Sequence, residues 1–298
     1  VKVSSDEEQN WKEFCETGIF PDVPYAIYDQ WPGLRKTRLW TGHTKTMAHY
    51  HWEMEHLDEL MDTPSFFIGR ATDKAITQPH KFEKLYTPPP PPPAGSEVWD
   101  RRFGAHKQAW AEWQAECLTK GWTVISQEDY DLALRLRDAA WANPISRMLL
   151  EGAEMQVAMQ WHDEQTALLC KALLDVLNRG IIVDIKTARC ANSSPFGRDA
   201  YRYGYHFGGA LYFDGARAVS QREIGEFVLL AIEKEPPYPV LCHQMSPDDL
   251  EIGRYQYRTV LQQVAYCLET GEWPAYDQNI VPLQLPGYAG QELSAAQF

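Results

Sequence analysis

Three side chains in the middle of the chain have the types and the spacing for phosphate chemistry. Asp175 is followed nine residues later by Asp184-Ile185-Lys186. On a strand, Asp184 and Lys186 share a face, about 7 Å apart at ~3.3 Å rise per residue. If Asp175 ends a preceding antiparallel strand across the short turn Asn178-Arg179-Gly180, two carboxylates and an ammonium converge on one spot. Two hard oxygen ligands can hold Mg²⁺ or Mn²⁺, which polarises a phosphate, while the lysine orients or activates the attacking water. That is the chemistry of metal-assisted phosphodiester cleavage. The same spacing also suits a plain surface ion pair beside a strand, and Asp-x-Lys alone does not choose between them.

The elements that must position these residues can be read from periodicity. Residues 154–161 alternate, with Met155, Val157 and Met159 opposite Gln156, Ala158 and Gln160, which predicts a strand. His162-Asp163-Glu164-Gln165 is a polar turn, and 167–175 forms a second strand. Ile181 to Lys186 is β-branched and nearly continuous, as in a buried strand. A helix from about Asp199 to Phe213 follows, then strands at 226–232 and 238–243 and a closing helix from Ser246 to Thr270. Ser246-Pro247-Asp248-Asp249 supplies that helix with a cap, a first-turn proline and acids at its positive end.

Residues 1–150 read as mostly helical. Candidates are 44–61, Phe66 to Ile76 after Pro64, His106 to Lys120, and a run capped by Ser126-Gln127-Glu128-Asp129 that ends near Asn143-Pro144. Pro88 to Pro93 is an unbroken proline run, a polyproline II spacer on the surface. The organisation expected is a helical front part (1–150), an α/β core with a mixed sheet flanked by helices (151–275) and a tail (276–298).

Composition narrows the function classes. The 298 residues carry 28 Lys+Arg against 41 Asp+Glu, a net charge of −13, which excludes binding nucleic acid or an anionic membrane by bulk positive charge. No apolar run approaches the ~18 residues that span a bilayer, and Val1 to Glu8 lacks the start of a signal peptide. Six scattered cysteines (15, 117, 170, 190, 242, 267) without a Cys-x-x-Cys pair point to reduced thiols in a cytoplasm. His49, His51 and His56 do not share a helix face, so they make a poor metal set. No phosphate-binding Gly-rich loop or Gly-x-Ser-x-Gly elbow is present.

The chain resembles the exodeoxyribonuclease VIII family, phage and prophage 5′-to-3′ nucleases of the PD-(D/E)xK superfamily. The resemblance is carried by Thr166 to Asp175, by Val183-Asp184-Ile185-Lys186-Thr187, by Tyr203-Gly204-Tyr205-His206 with Ala210-Leu211-Tyr212, by Gly69 to Pro79 and by Thr270-Gly271-Glu272-Trp273-Pro274. It implies a PD-(D/E)xK core that cleaves linear double-stranded DNA with Mg²⁺ or Mn²⁺. Asp175 and Asp184 would be metal ligands, the carbonyl of Ile185 would complete the shell, and Lys186 would be the catalytic lysine. Glu154 fits the family's upstream acid with a shift of about two residues, leaving Gln156 or a purely structural acid as alternatives. Asp73 stands where the family usually has a histidine ligand, and Gly208 where many relatives have glutamine. The resemblance further implies a ring-shaped homo-oligomer and a single-strand annealing recombinase as partner.

Candidates for DNA contact gather after the lysine. Between Ile185 and Arg222 stand Lys186, Arg189, Arg198, Arg202, Arg217 and Arg222 against Asp199 and Asp214, a local excess of basic charge. Interleaved with Tyr201, Tyr203, Tyr205 and His206, they could hold phosphates and stack on unpaired bases. The DNA-binding set is Arg189, Arg198, Arg202, Tyr205, His206 and Lys171, although tyrosines at this spacing also suit packing against a sheet. Asp73 in place of histidine equally suits a module that keeps the fold and binds DNA or protein without cutting. A different nuclease of the superfamily is a third reading.

Overall fold

The computed structural model describes residues 17–56, 64–92, 99 and 104–284. The readings on Val1 to Glu8, on Cys15, on residues 57–61, on Pro93 and on tail residues 285–298 lie outside the described residues.

A short strand β1 (Gly18–Phe20) precedes helices α1 (Tyr25–Gln30), α2 (Lys36–Thr44), α3 (Met47–Glu55), α4 (Pro64–Thr77) and α5 (Pro79–Leu85). The two-residue strands β2 (Tyr86–Thr87) and β3 (Thr123–Val124) pair around α6 (Gly104–Lys120). Helices α7 (Gln127–Ala142) and α8 (Pro144–Leu150) lead into β4 (Glu154–His162), β5 (Leu169–Asn178) and β6 (Ile181–Ala188). Then come α9 (Ser193–Arg202), α10 (Tyr205–Val219), β7 (Glu226–Glu233), β8 (Val240–Gln244) and α11 (Pro247–Thr270). The predicted caps form: the Ser126 and Ser246 side chains accept from the amides of Asp129 and Asp249.

The main sheet has six strands in the order β1-β4-β5-β6-β7-β8, antiparallel except for β6 and β7. A parallel pair needs a crossover, and α9 with α10 provides it. One face of the sheet buries Val157, Leu174, Ile182, Phe227 and Leu229 against Leu39 and Tyr50 of α2 and α3, Phe207 and Leu211 of α10, and Leu261 of α11. The other face buries Val176, Val183, Ile185, Leu230 and Ile232 against Ile76 of α4, Leu136 of α7 and Leu149 of α8. The result is the predicted α/β architecture, a mixed sheet flanked by helices. On β6, Ile182 packs in one layer while Val183 and Ile185 pack in the other, so period-two alternation directs Asp184 and Lys186 toward α10.

Several local features differ from the sequence reading: β5, expected to end at Asp175, runs on to Asn178, so Asp175 lies inside the strand. β1 lies in the front segment yet forms the sheet's edge, and three residues are too few to show a period. The alternation of β4 breaks at Gln156, whose φ is 53°. Met155 therefore packs with the α7–α8 layer and Val157 with the α10–α11 layer. The single helix predicted over Asp199–Phe213 is two, α9 and α10, separated at Tyr203-Gly204. Gly204 sits at φ 64°, and a Cβ there would come within 2.5 Å of the Trp40 ring, so both conformation and space demand glycine. Pro88 to Pro92 is irregular chain, with Trp99 Nε1 donating to the carbonyl of Pro90. No helix among the described residues is long and apolar enough to cross a membrane.

Candidate active site

β5 and β6 are paired only beside their turn, through Val176 with Val183, Leu177 with Ile182 and Asn178 with Ile181. Arg179 and Gly180 both have positive φ, as a tight hairpin turn requires. Beyond Val176 the β5–β6 ladder stops, while β6 stays in register with β7 as far as Ala188. A backbone amide left inside a fold needs an acceptor. The Ile185 amide finds one in Asp175 Oδ2, at 2.8 Å. The carboxylate thus replaces a strand carbonyl at the point where the sheet opens.

Asp184 is ion-paired to Lys186 Nζ, and the same ammonium donates to the Ile185 carbonyl at 3.3 Å and stands 5.2 Å from the Tyr205 ring centre. From the opposite layer, α4 lies across β6 at Gly69, where a Cβ would meet Thr187 Oγ1 at 3.7 Å. One turn on, α4 presents Asp73, whose two carboxylate oxygens accept from Gln156 Nε2 at 3.2 and 2.9 Å. Asp73, Asp175, Asp184 and Lys186 therefore act on one another electrostatically although they come from three elements.

Burial, then the neighbouring Asp73 and Asp184 carboxylates, push Asp175 well above the usual carboxylate range. Burial likewise raises Asp73 to about 6, against the opposing pull of Lys74 and the Gln156 amide. Lys186 behaves oppositely: burial would lower it, but Asp184 and Asp175 hold it above the usual lysine value. Two further lysines flank the group. Lys36 is lowered to about 8 by burial and by Lys186, and Lys74 is lowered by burial against the pull of Asp73.

Three carboxylates and the Ile185 carbonyl make an oxygen-only donor set of the kind a hard divalent cation prefers. The crowding that raises Asp175 is what such a cation would relieve. Each carboxylate is held by a protein partner, however: Asp73 by Gln156, Asp175 by the Ile185 amide and Asp184 by Lys186. Among the described residues no three His, Cys, Asp or Glu side chains form a ready metal cluster. The donor chemistry fits; the ligands are not yet gathered.

The other predicted residues divide. Glu154 stands apart, ion-paired to the exposed Arg222, while Gln156 and Asp175 both fall in the gap between the paired rungs Met155–Val176 and Val157–Leu174. The left-handed turn of the chain at Gln156 is what the periodicity could not show. Lys171 is also corrected: it is buried and donates to the carbonyls of Tyr28, Asp29 and Trp31 at 3.1, 3.0 and 2.6 Å, which leaves no donor for a phosphate. His206 is buried, bonded through Nε2 to Gln256 and stacked under Tyr201, so it packs rather than faces a strand. Arg217 donates to the Ile224 carbonyl, away from the site. Arg189, Arg198 and Arg202 are exposed, and Tyr205 lies against Lys186. His49, His51 and His56 hold Thr46, the Trp273 ring and the Trp52 carbonyl, not one another. Lys36 and Lys74 are the site residues that sequence reasoning missed. Lys74 adjoins Asp73 and had that signal; Lys36 had none, because only tertiary packing of α2 brings it near.

The chain belongs to a defined family. Residues 39–281 match the family described as PDDEXK-like domain of unknown function (DUF3799). The crystal structure of a "Putative exonuclease" from Eubacterium rectale aligns over 98% of this chain and 98% of that one, at 12% identity and a TM-score of 0.56. At that identity the likeness is one of fold. The crystal structure of SSO0001 covers 76% of this chain and 85% of that one at 13% identity, with a TM-score of 0.28 that carries no argument. The curated proteins include no match to this sequence.

Proposed function

We propose that this chain is a divalent-metal-dependent deoxyribonuclease that hydrolyses phosphodiester bonds at the ends of linear duplex DNA. The observation that carries this reading is the opened β5–β6 junction, which brings Asp175, Asp184 and Lys186 together inside a PDDEXK-like fold. Asp175, Asp184, Asp73 and the Ile185 carbonyl would hold Mg²⁺ or Mn²⁺. Such an ion, when bound, polarises the scissile phosphate and lowers the pKa of water. Lys186, held protonated by the surrounding acids, orients the attacking water and balances charge on the phosphate. The exposed Arg189, Arg198 and Arg202 would take backbone phosphates. The "Putative exonuclease" from Eubacterium rectale, similar in fold over nearly the whole chain, is the comparison that suggests end-directed cutting. The 5′-to-3′ polarity, a ring of identical subunits, a single-strand annealing partner in recombination and a phage or prophage source extend this reading along the exodeoxyribonuclease VIII resemblance, and the scattered cysteines suit a cytoplasmic location.

The held carboxylates favour one other reading, a PDDEXK-like module that binds DNA or protein without cutting. A digestion assay separates the two. Incubated with end-labelled linear duplex and Mg²⁺ or Mn²⁺, the chain is expected to release nucleotides, Lys186→Ala to release none, and closed circles to survive. Intact labelled duplex with either metal rejects the enzyme and leaves the binding module.

A further inference from the structure

Lys36 is joined to the catalytic cluster by packing alone. It opens α2, and its Nζ donates at 2.7 Å to the carbonyl of Tyr203, 167 residues further on, in the break between α9 and α10. The Trp40 ring centre lies 5.4 Å from the ammonium. The alkyl stem runs over buried Gly208, where a Cβ would meet Cγ at 3.1 Å and Cε at 3.4 Å. The bare glycine is therefore the corridor through which the lysine reaches Tyr203.

Two ammonium groups in one place repel, and Lys36 lies within electrostatic reach of Lys186. The carboxylate acting on both is Asp184, which Lys186 already holds. An ammonium has three donors, and among the described residues Tyr203 O is the acceptor that Lys36 meets. Charge and unfilled donors together call for an anion from outside. The neighbouring surface extends the same pattern: exposed Tyr203 lies 5.8 Å from the Arg202 guanidinium and 6.0 Å from the Tyr205 ring, which in turn touches Lys186. Lys186, Lys36 and Arg202 thus line one path with tyrosine faces between them.

We propose that Lys36 is a substrate-binding residue of this site, contacting a backbone phosphate next to the scissile one and fixing the register of the strand against Lys186. The proposal rests on the nuclease reading above.

The test is binding of fluorescently labelled linear duplex in the Lys186→Ala chain, so that cleavage does not intervene. Adding Lys36→Gln is expected to weaken affinity about tenfold and to lower the slope of log affinity against log salt by about one. Lys36→Arg should keep both within about twofold. Unchanged affinity and slope in a folded Lys36→Gln chain overturns the role of Lys36 and leaves the nuclease reading standing. If the unsubstituted chain binds neither duplex nor single-stranded DNA, both readings fall. Should Lys36→Gln fail to fold, Gly208→Ala carries the test by pressing on the stem with the charge retained. A loss of about threefold in affinity is expected, given the contact at 3.1 Å. No loss overturns the proposal.

Discussion

Lys171 and Lys186 sit on adjacent strands of one sheet, the first buried and the second half-buried, each among acceptors, yet they end in opposite states. Lys171 points at three backbone carbonyls, and burial with the nearby Arg35 guanidinium brings it down to about 8. Lys186 faces burial too, but the carboxylates of Asp184 and Asp175 outweigh it and raise the group. Dipoles can satisfy the donors of a lysine without securing its charge; formal charges secure the charge. The first arrangement fastens the 28–31 segment to the sheet. The second keeps a proton where a reaction could use it, and it does so beside Asp175, whose own carboxyl is pushed well above its usual range.

That contrast predicts where substitution will hurt activity and where it will hurt stability. The largest effect should come from Asp175→Asn. It keeps an acceptor for the Ile185 amide but removes a proposed metal ligand, so under the nuclease reading cleavage should fall at least about a hundredfold while the melting temperature stays level or rises. A clear drop in melting temperature would mean that the charge supports the fold, contrary to its raised state. Next, Lys171→Met should leave three buried carbonyls without their donor and cost about 2–4 kcal/mol, read by urea unfolding. DNA binding by the folded variant should keep its salt slope, because Lys171 has no donor to give. A slope reduced by about one would return Lys171 to the DNA-contacting set.

A smaller effect follows from the direction of the Lys171 shift. The folded group releases its proton near pH 8, whereas the unfolded one holds it to about 10.4. Across that window the unfolded state binds more protons, so this group makes stability rise with pH. Relative to Lys171→Met, the parent chain should gain stability between pH 8 and 10; parallel profiles would show that the three carbonyls hold the proton after all. The smallest effect is expected from Glu154→Gln. Its partner is Arg222 at the surface, so cleavage should stay within about twofold. A hundredfold loss would add Glu154 to the proposed metal ligands despite its pairing with Arg222.

Much of this was legible in the sequence, and the reasons for the rest are physical. The strands around Asp175 and Asp184 were visible because each carries a run of apolar residues bounded by a Gly turn, and the Ser-capped helices because capping is local. The family match supports the PDDEXK-like part of the resemblance. That Gln156 rather than Glu154 reaches the acidic group, through Asp73, was not decidable, because one left-handed residue changes which face the following side chains take. Gly204 looked like an ordinary helix residue until the Trp40 ring appeared against it. Lys171 and Lys36 could not be sorted by type or spacing at all, since segments far away in sequence decide what each ammonium meets.

The hydrogen bond between the Ile185 amide and Asp175 has a use in spectroscopy. The Ile185 amide has a carboxylate, not a strand carbonyl, as its acceptor. Its proton resonance and its exchange with solvent must therefore follow whatever Asp175 is doing. A single nitrogen-15 label at Ile185 would let an observer watch that carboxylate gain a proton or leave for a cation, in real time and without substrate.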